Sequence, residues 1–120
     1  MRKDPVIYLN HIQDCIVKII TYTDGLDEQG FLNSTIVQDA VVRNFEIIGE
    51  ATKQLDSEFR EKYPAIEWKK LAGMRDKLIH DYIGVALWIV WATAANYIPA
   101  LQLLIDTIIK TERQNSPNLM

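Results

Sequence analysis

At 120 residues, 48% of them apolar and 24% charged, the chain has the size and balance of one globular domain around one core. A formal net charge of −3 and an isoelectric point near 5.3 argue against a protein that grips nucleic acid on a broad basic surface, because such binders gain affinity by neutralising phosphates. Cys15 is the only cysteine, which excludes an intrachain disulfide and a cysteine-cluster metal site and fits a reducing compartment.

The N-terminus, Met1-Arg2-Lys3-Asp4-Pro5, lacks the apolar core of a secretory signal and soon reaches Asp14 and Lys18, so a cytoplasmic location is expected. Asp4 followed by Pro5 is a helix start, and Val6, Ile7, Leu9, Ile12, Ile16, Ile19 and Ile20 recur at helical spacing. A first helix over about 5–22 follows. His11 and Cys15 lie one turn apart on it, but no third group is in place to orient a thiol and imidazole pair, and ordinary packing is the better account. Asp24-Gly25 and Gly30 bracket a polar loop, after which Asn33-Ser34 caps a second helix running to about Leu55. Val37, Val41, Phe45, Ile48, Thr52 and Leu55 form its apolar stripe. Asp39, Arg43, Glu46 and Glu50 form a charged row, read either as solvent-facing ion pairs or as glutamates that hold an arginine on a neighbouring helix.

Asp56-Ser57 to Tyr63-Pro64 reads as a short helix closed by the proline, and Glu67 to Leu71 as a helical turn leading to Gly73. A further helix is expected from about Leu71 to Tyr82, ended by Gly84. Lys69, Lys70, Arg75 and Lys77 cluster there, which suits either a locally positive groove on an acidic molecule or a solvated helix end. From Tyr82 to Ile105 no residue carries a formal charge. That run is long enough to cross a membrane, but Asn96, Pro99 and Gln102 interrupt it, and a core helix is equally apolar. No membrane association is expected. The last helix is expected over about Val85–Thr111, kinked at Pro99, packing the core on one side and a sister subunit on the other through Trp88, Trp91 and Tyr97. A polar tail from about residue 113 is expected to fray. The pattern as a whole predicts one all-α domain over 1–120, an up-and-down bundle of four to five helices.

The chemistry concentrates in Arg75-Asp76-Lys77-Leu78-Ile79-His80-Asp81-Tyr82. On a helix, Leu71, Arg75, Leu78, Ile79 and Tyr82 share one face, so a guanidinium interrupts an apolar stripe and needs an anionic partner. His80 lies about 140° round from Arg75, while Asp76 is one turn below His80 and able to hydrogen-bond it. One straight helix therefore makes an incomplete site; a bend, or a second copy related by a two-fold axis, completes it.

Arg75, polar Asp76 and His80 resemble the Arg-x4-6-His signature of the HEPN superfamily of small helical ribonucleases. Arg75, His80 and Tyr82 together resemble the Arg-x4-His-x-Tyr motif of its HepT toxin branch. Arg43-Asn44-Phe45-Glu46-Ile47-Ile48-Gly49-Glu50-Ala51, Trp68-Lys69-Lys70-Leu71-Ala72-Gly73-Met74 and Ile89-Val90-Trp91 look like the same branch, so the resemblance spans nearly the whole chain. Ala86 departs from it, standing where such toxins carry an Asp at the start of the last helix, a change that touches a helix cap and not the chemistry.

The resemblance implies a homodimeric, metal-independent endoribonuclease toxin without a cofactor, cutting RNA at a dimer interface. Arg75 and His80 would be catalytic, with Asp76, Glu46 and Glu50 supporting them. It also implies an MntA-like nucleotidyltransferase antitoxin that attaches AMP to Tyr82. The alternative is a non-catalytic HEPN module that docks a nucleotidyltransferase or binds a nucleotide through Arg75, with His80 structural; the acidic isoelectric point favours it. No His, Asp and Glu grouping has the spacing of a metal-dependent hydrolase.

Overall fold

Asp4 and Pro5 open the first helix, α1 (Pro5–Thr23): the Asp4 carboxylate accepts the Val6 amide at 2.9 Å and Pro5 occupies the first turn, where its missing N–H costs nothing. A computed structural model describes residues 4–81 and 86–115, with side chains over those spans except at 75–81. All its regular structure is helical. α1 buries Val6, Leu9, Ile12, Cys15, Ile16 and Ile19, and ends where Gly25 adopts φ +77°, a left-handed conformation that only glycine takes without penalty.

The polar loop expected after Gly25 contains a helix. α2 (Glu28–Leu32) is capped by Asp27, whose carboxylate accepts the Gly30 amide at 2.8 Å, and its Phe31 is wholly buried with its ring centroid 5.5 Å from that of Trp91. Buried Gln38 donates its side-chain amide to the carbonyls of Phe31 and Leu32, each at 3.0 Å, and so satisfies the end of that turn. These are long-range supports, which is why Gly30 marks a loop to local reasoning and lies inside an element in the fold.

The Ser34 hydroxyl caps α3 (Thr35–Lys53), accepting the Val37 amide at 3.3 Å. Val41, Phe45, Ile48 and Thr52 are buried along it, as is Leu55 just beyond, while Val37 is half-buried. α3 is the central element, packed against α1 and against α5 (Trp68–Asp81), and α1 in turn packs against α7 (Ile98–Gln114). Between α3 and α5, the Asp56 carboxylate accepts the Phe59 amide at 2.8 Å and starts α4 (Ser57–Glu61). Phe59 stacks near Tyr63 and edge-on to Trp68, with centroids 5.2 and 6.3 Å away, and the Trp68 indole donates to the Tyr63 carbonyl at 2.9 Å. The Tyr63 hydroxyl donates to the Glu112 carboxylate, which the Lys62 ammonium also approaches at 3.2 Å. The entry to α5 is thereby tied to the last turns of α7.

Two expected boundaries differ. The turn at 67–71 and the motif helix are one element, α5, which continues through Gly73; glycine weakens a helix interior without breaking it, and Trp68, Leu71 and Ala72 anchor this one in the core. Its expected end at Tyr82 and Gly84 lies outside the described residues. The last helix is expected to be one kinked rod, and instead α6 (Leu87–Ala92) passes through a π-helical turn (Thr93–Tyr97) into α7. The wider turn stands just ahead of Pro99, whose ring would collide with the carbonyl four residues back in an unbroken α-helix. Ala86 occupies the N-cap of α6 and makes no side-chain cap bond, as the missing acid predicts. Leu87–Gln114 is long and apolar enough to cross a membrane by length and composition, yet Ile98, Leu101 and Ile105 on it are wholly buried in the core.

Candidate functional site

The platform for the motif is α5, helical without interruption from Trp68 to Asp81. Trp68, Leu71 and Ala72 are buried on its core side, and position 75 continues that stripe one turn after Leu71. Positions 76 and 80 stand one turn apart and position 80 about 140° round from 75, as the sequence predicts for a straight helix. The side chains of Arg75, Asp76 and His80, and all of Tyr82, lie outside the described residues, as do the distances among them.

Of the predicted supporting residues, both lie on α3, the helix that packs against α5. Glu46 is partly buried, and its carboxylate lies 3.4 Å from the guanidinium of Arg43, whose side chain is 69% exposed. That contact belongs to the row of intrahelical ion pairs. Glu50 is exposed. The approach of either glutamate to Arg75 lies outside the described residues. The fold adds two buried polar side chains on α3 that patterning does not single out: Gln38, and Asn44, whose amide donates to the Ala40 carbonyl at 2.8 Å.

At the opposite end of α5 the structure forms an open groove of about 480 Å³, with Trp68 at its base and Arg60, Glu61, Glu67, Lys69 and Lys70 among its walls. Lys70 pairs with Glu67 at 2.7 Å, and this hydrogen bond raises the ammonium pKa. Arg60 donates to the Thr52 carbonyl at 2.8 Å. Lys69 is exposed and makes no ion pair among the described residues. Tyr97, on the π turn, has its phenol pKa raised by burial and then by the charge of Glu67, which places that turn within electrostatic reach of the start of α5. Across the described residues α5 packs chiefly against α3.

The other candidate pair separates. His11 is exposed, whereas Cys15 is buried with its thiol pKa pushed up by desolvation, the reverse of what a thiolate nucleophile requires. Among the described residues no three His, Cys, Asp or Glu side chains group to hold a metal ion.

Comparison with known proteins bears on residues 12–108, which match the family model described as "Ribonuclease HepT-like". The chain is 48% identical over 118 residues to a Methanocaldococcus jannaschii protein named "Gamma-glutamylcyclotransferase and putative RNase", covering 98% of this chain and 53% of that one. It therefore spans about half the length of that relative. It is 44% identical over 112 residues to a protein of Caldanaerobacter subterraneus subsp. tengcongensis named "Putative RNase", covering 92% of this chain and 99% of the relative. A "Probable ribonuclease HepT" of Thermococcus cleftensis is 39% identical over 102 residues, 85% of this chain and 93% of its own. No solved structure matches.

Proposed function

Since this chain belongs to the HepT-like ribonuclease family, we propose that it is a metal-independent endoribonuclease, acting in the cytoplasm as the toxin of a HepT/MntA-type toxin–antitoxin system. The observation that carries the reading is the position of Arg75, His80 and Tyr82: all three fall inside the matched span, and one helix backbone runs unbroken through the first two.

Cutting RNA without a metal needs the ribose 2′-OH to lose a proton as its oxygen attacks phosphorus. The phosphorane charge must then be steadied, and the 5′ oxygen must gain a proton as its bond to phosphorus breaks, leaving a cyclic phosphate. A histidine with a pKa near neutrality suits both proton steps, and the planar, always-charged arginine fork suits the phosphate oxygens. The roughly 140° between positions 75 and 80 keeps one helix from closing on a small group, so the site is completed by a second copy whose His80 supplies the complementary acid or base. Trp88 at 60% and Ile89 at 42% exposure, on the element that follows the motif helix, support such pairing: large apolar side chains left to solvent mark contact surfaces. Asp76 orients the imidazole, and Glu46 and Glu50 hold Arg75. AMP placed on Tyr82 by an MntA-like nucleotidyltransferase adds a bulky anion beside Arg75 and fills the place of the substrate phosphate.

RNA cleavage in EDTA tests this. The parent protein cuts, while Arg75→Ala and His80→Ala each lose at least a hundredfold in rate with unchanged helical content. Equal cleavage by parent and His80→Ala would sink the proposal. Tyr82 modification is checked separately by mass after incubation with the transferase and ATP. The net charge of −3 favours one rival, a non-catalytic module that docks the transferase or binds a nucleotide; for it, the parent would bind and leave RNA intact.

A further inference from the structure

Gly73 sits inside α5, exposed, in the helical position where glycine is least favoured apart from proline. Interior glycines are usually explained by a neighbour that leaves no room for a methyl group. None exists here: a Cβ placed on Gly73 meets nothing within 4 Å. Nor does the backbone demand glycine, since the only positive φ among the described residues is at Gly25. The chain thus keeps a weaker helix former at a site where the described residues give no reason for one. The bare backbone there is open to a molecule approaching from outside.

Helical geometry says what shares that face. Lys69, one turn earlier, is about 40° from Gly73 round the helix axis, and position 80, two turns later, is about 20° away on the same side. The bare stretch therefore joins an exposed lysine to the position of the proposed catalytic histidine. Lys69 also belongs to the groove at the start of α5, where Arg60 and Lys70 add positive charge and Glu61 and Glu67 subtract some. Because Glu67 is taken up by Lys70 at 2.7 Å, Lys69 is left as an unpaired cation among the described residues. Among the described residues the large exposed apolar side chains lie on α1, α2, α3, α6 and α7, while the described part of this face carries Lys69 and the bare Gly73.

We infer that the α5 face from Lys69 across Gly73 to position 80 is the track on which the sugar–phosphate backbone of the RNA strand lies, with Gly73 letting the strand approach the helix closely. This rests on the ribonuclease reading and deepens it, assigning a strand-positioning residue and a phosphate contact outside the Arg75 and His80 pair. The close approach works as in other backbone-bare surfaces that meet phosphates: no Cβ holds the strand away, and the nearby ammonium neutralises it.

The test separates fold, binding and chemistry. Gly73→Ala should raise the melting temperature by about 4 °C, since alanine is the stronger helix former, and lower kcat/KM for RNA at least tenfold. Binding of a fluorescent single-stranded RNA is measured in the His80→Ala background, which keeps the strand uncut. There, adding Gly73→Leu should weaken binding at least tenfold, and adding Lys69→Gln should weaken it and flatten its salt dependence by about one counterion. A Gly73→Ala protein that is more stable and cuts at the parent rate overturns the inference, as does unchanged RNA binding by Gly73→Leu. Loss of activity that tracks dimer dissociation in sedimentation, with RNA binding intact, would assign the face to a second copy and overturn it too. Failure of the ribonuclease reading looks different: the parent leaves RNA uncut, and the binding arm still decides the fate of this face.

Discussion

Replacing Tyr63 by Phe isolates one bond, because the ring that stacks near Phe59 and lies under the Lys62 ammonium is kept. Only the hydroxyl that donates to Glu112 is lost. That bond joins residues 49 positions apart and fastens the segment before α5 to the end of α7. Hydrogen bonds to charged groups contribute about 1.5–3 kcal/mol. The low end applies here, since Lys62 stays 3.2 Å from the Glu112 carboxylate and keeps it paired. About 1.5 kcal/mol, set against an unfolding entropy of about 250 cal/mol/K for a domain of this length, predicts a melting temperature about 6 °C lower at pH 8. The pH dependence carries a second signature. Burial first, then the hydrogen bond and charge of Glu112, push the Tyr63 phenol up from 10.0 to about 12. A phenol raised by folding contributes its stability below its ordinary pKa and loses it as pH climbs through the raised one. The gap between parent and Tyr63→Phe, followed by circular dichroism melts, should therefore hold to about pH 10 and close towards pH 12. Equal melting temperatures at pH 8, or a gap that persists undiminished at pH 12, would refute the reasoning.

Gln38→Leu keeps the volume and removes two donors, taking from the Leu32 carbonyl its side-chain amide and leaving the Phe31 carbonyl only the Ser34 backbone amide at 3.1 Å. A loss of about 2 kcal/mol is expected in urea titrations, with α2 exchanging its amide hydrogens faster than α3. Ala86→Asp is expected to act in the opposite sense. Residue 86 already has the extended backbone of an N-cap, at φ −71° and ψ 118°, and lacks only a side-chain acceptor. Supplying one should add about 1 kcal/mol, read as a rise of about 4 °C in melting temperature.

Much of the bundle is legible in local chemistry. Asp4 with Pro5 and Ser34 announce α1 and α3, and the stripes running from Val6 to Ile19 and from Val41 to Leu55 say which faces go inside. What stayed hidden depends on contacts across the fold. α2 is one turn long, too short for periodicity, and is held by the burial of Phe31 and by an amide from the next helix. Gly73 resembles a boundary only as long as the anchoring of Trp68 and Leu71 against α3 is unseen. The π turn answers to Pro99 and to the need for both α6 and α7 to reach the core, a compromise with no signature of its own. For the site, the motif names the residues and the helix fixes their angular relation. Glu46 shows the limit of that logic, since a charged row at spacings of three and four serves a surface ion pair as readily as a neighbouring helix.

The π turn at Thr93–Tyr97 also sets the rotational phase of the chain's last third. A turn closed by bonds five residues apart holds one residue more than its α counterpart, so α6 is dialled by about 100° relative to where an unbroken rod would leave it. With that offset Trp91 reaches Phe31 while Ile98, Leu101 and Ile105 still face inward. A chain shortened by one residue there would be forced to choose, seating one end of the rod and swinging the other out of register.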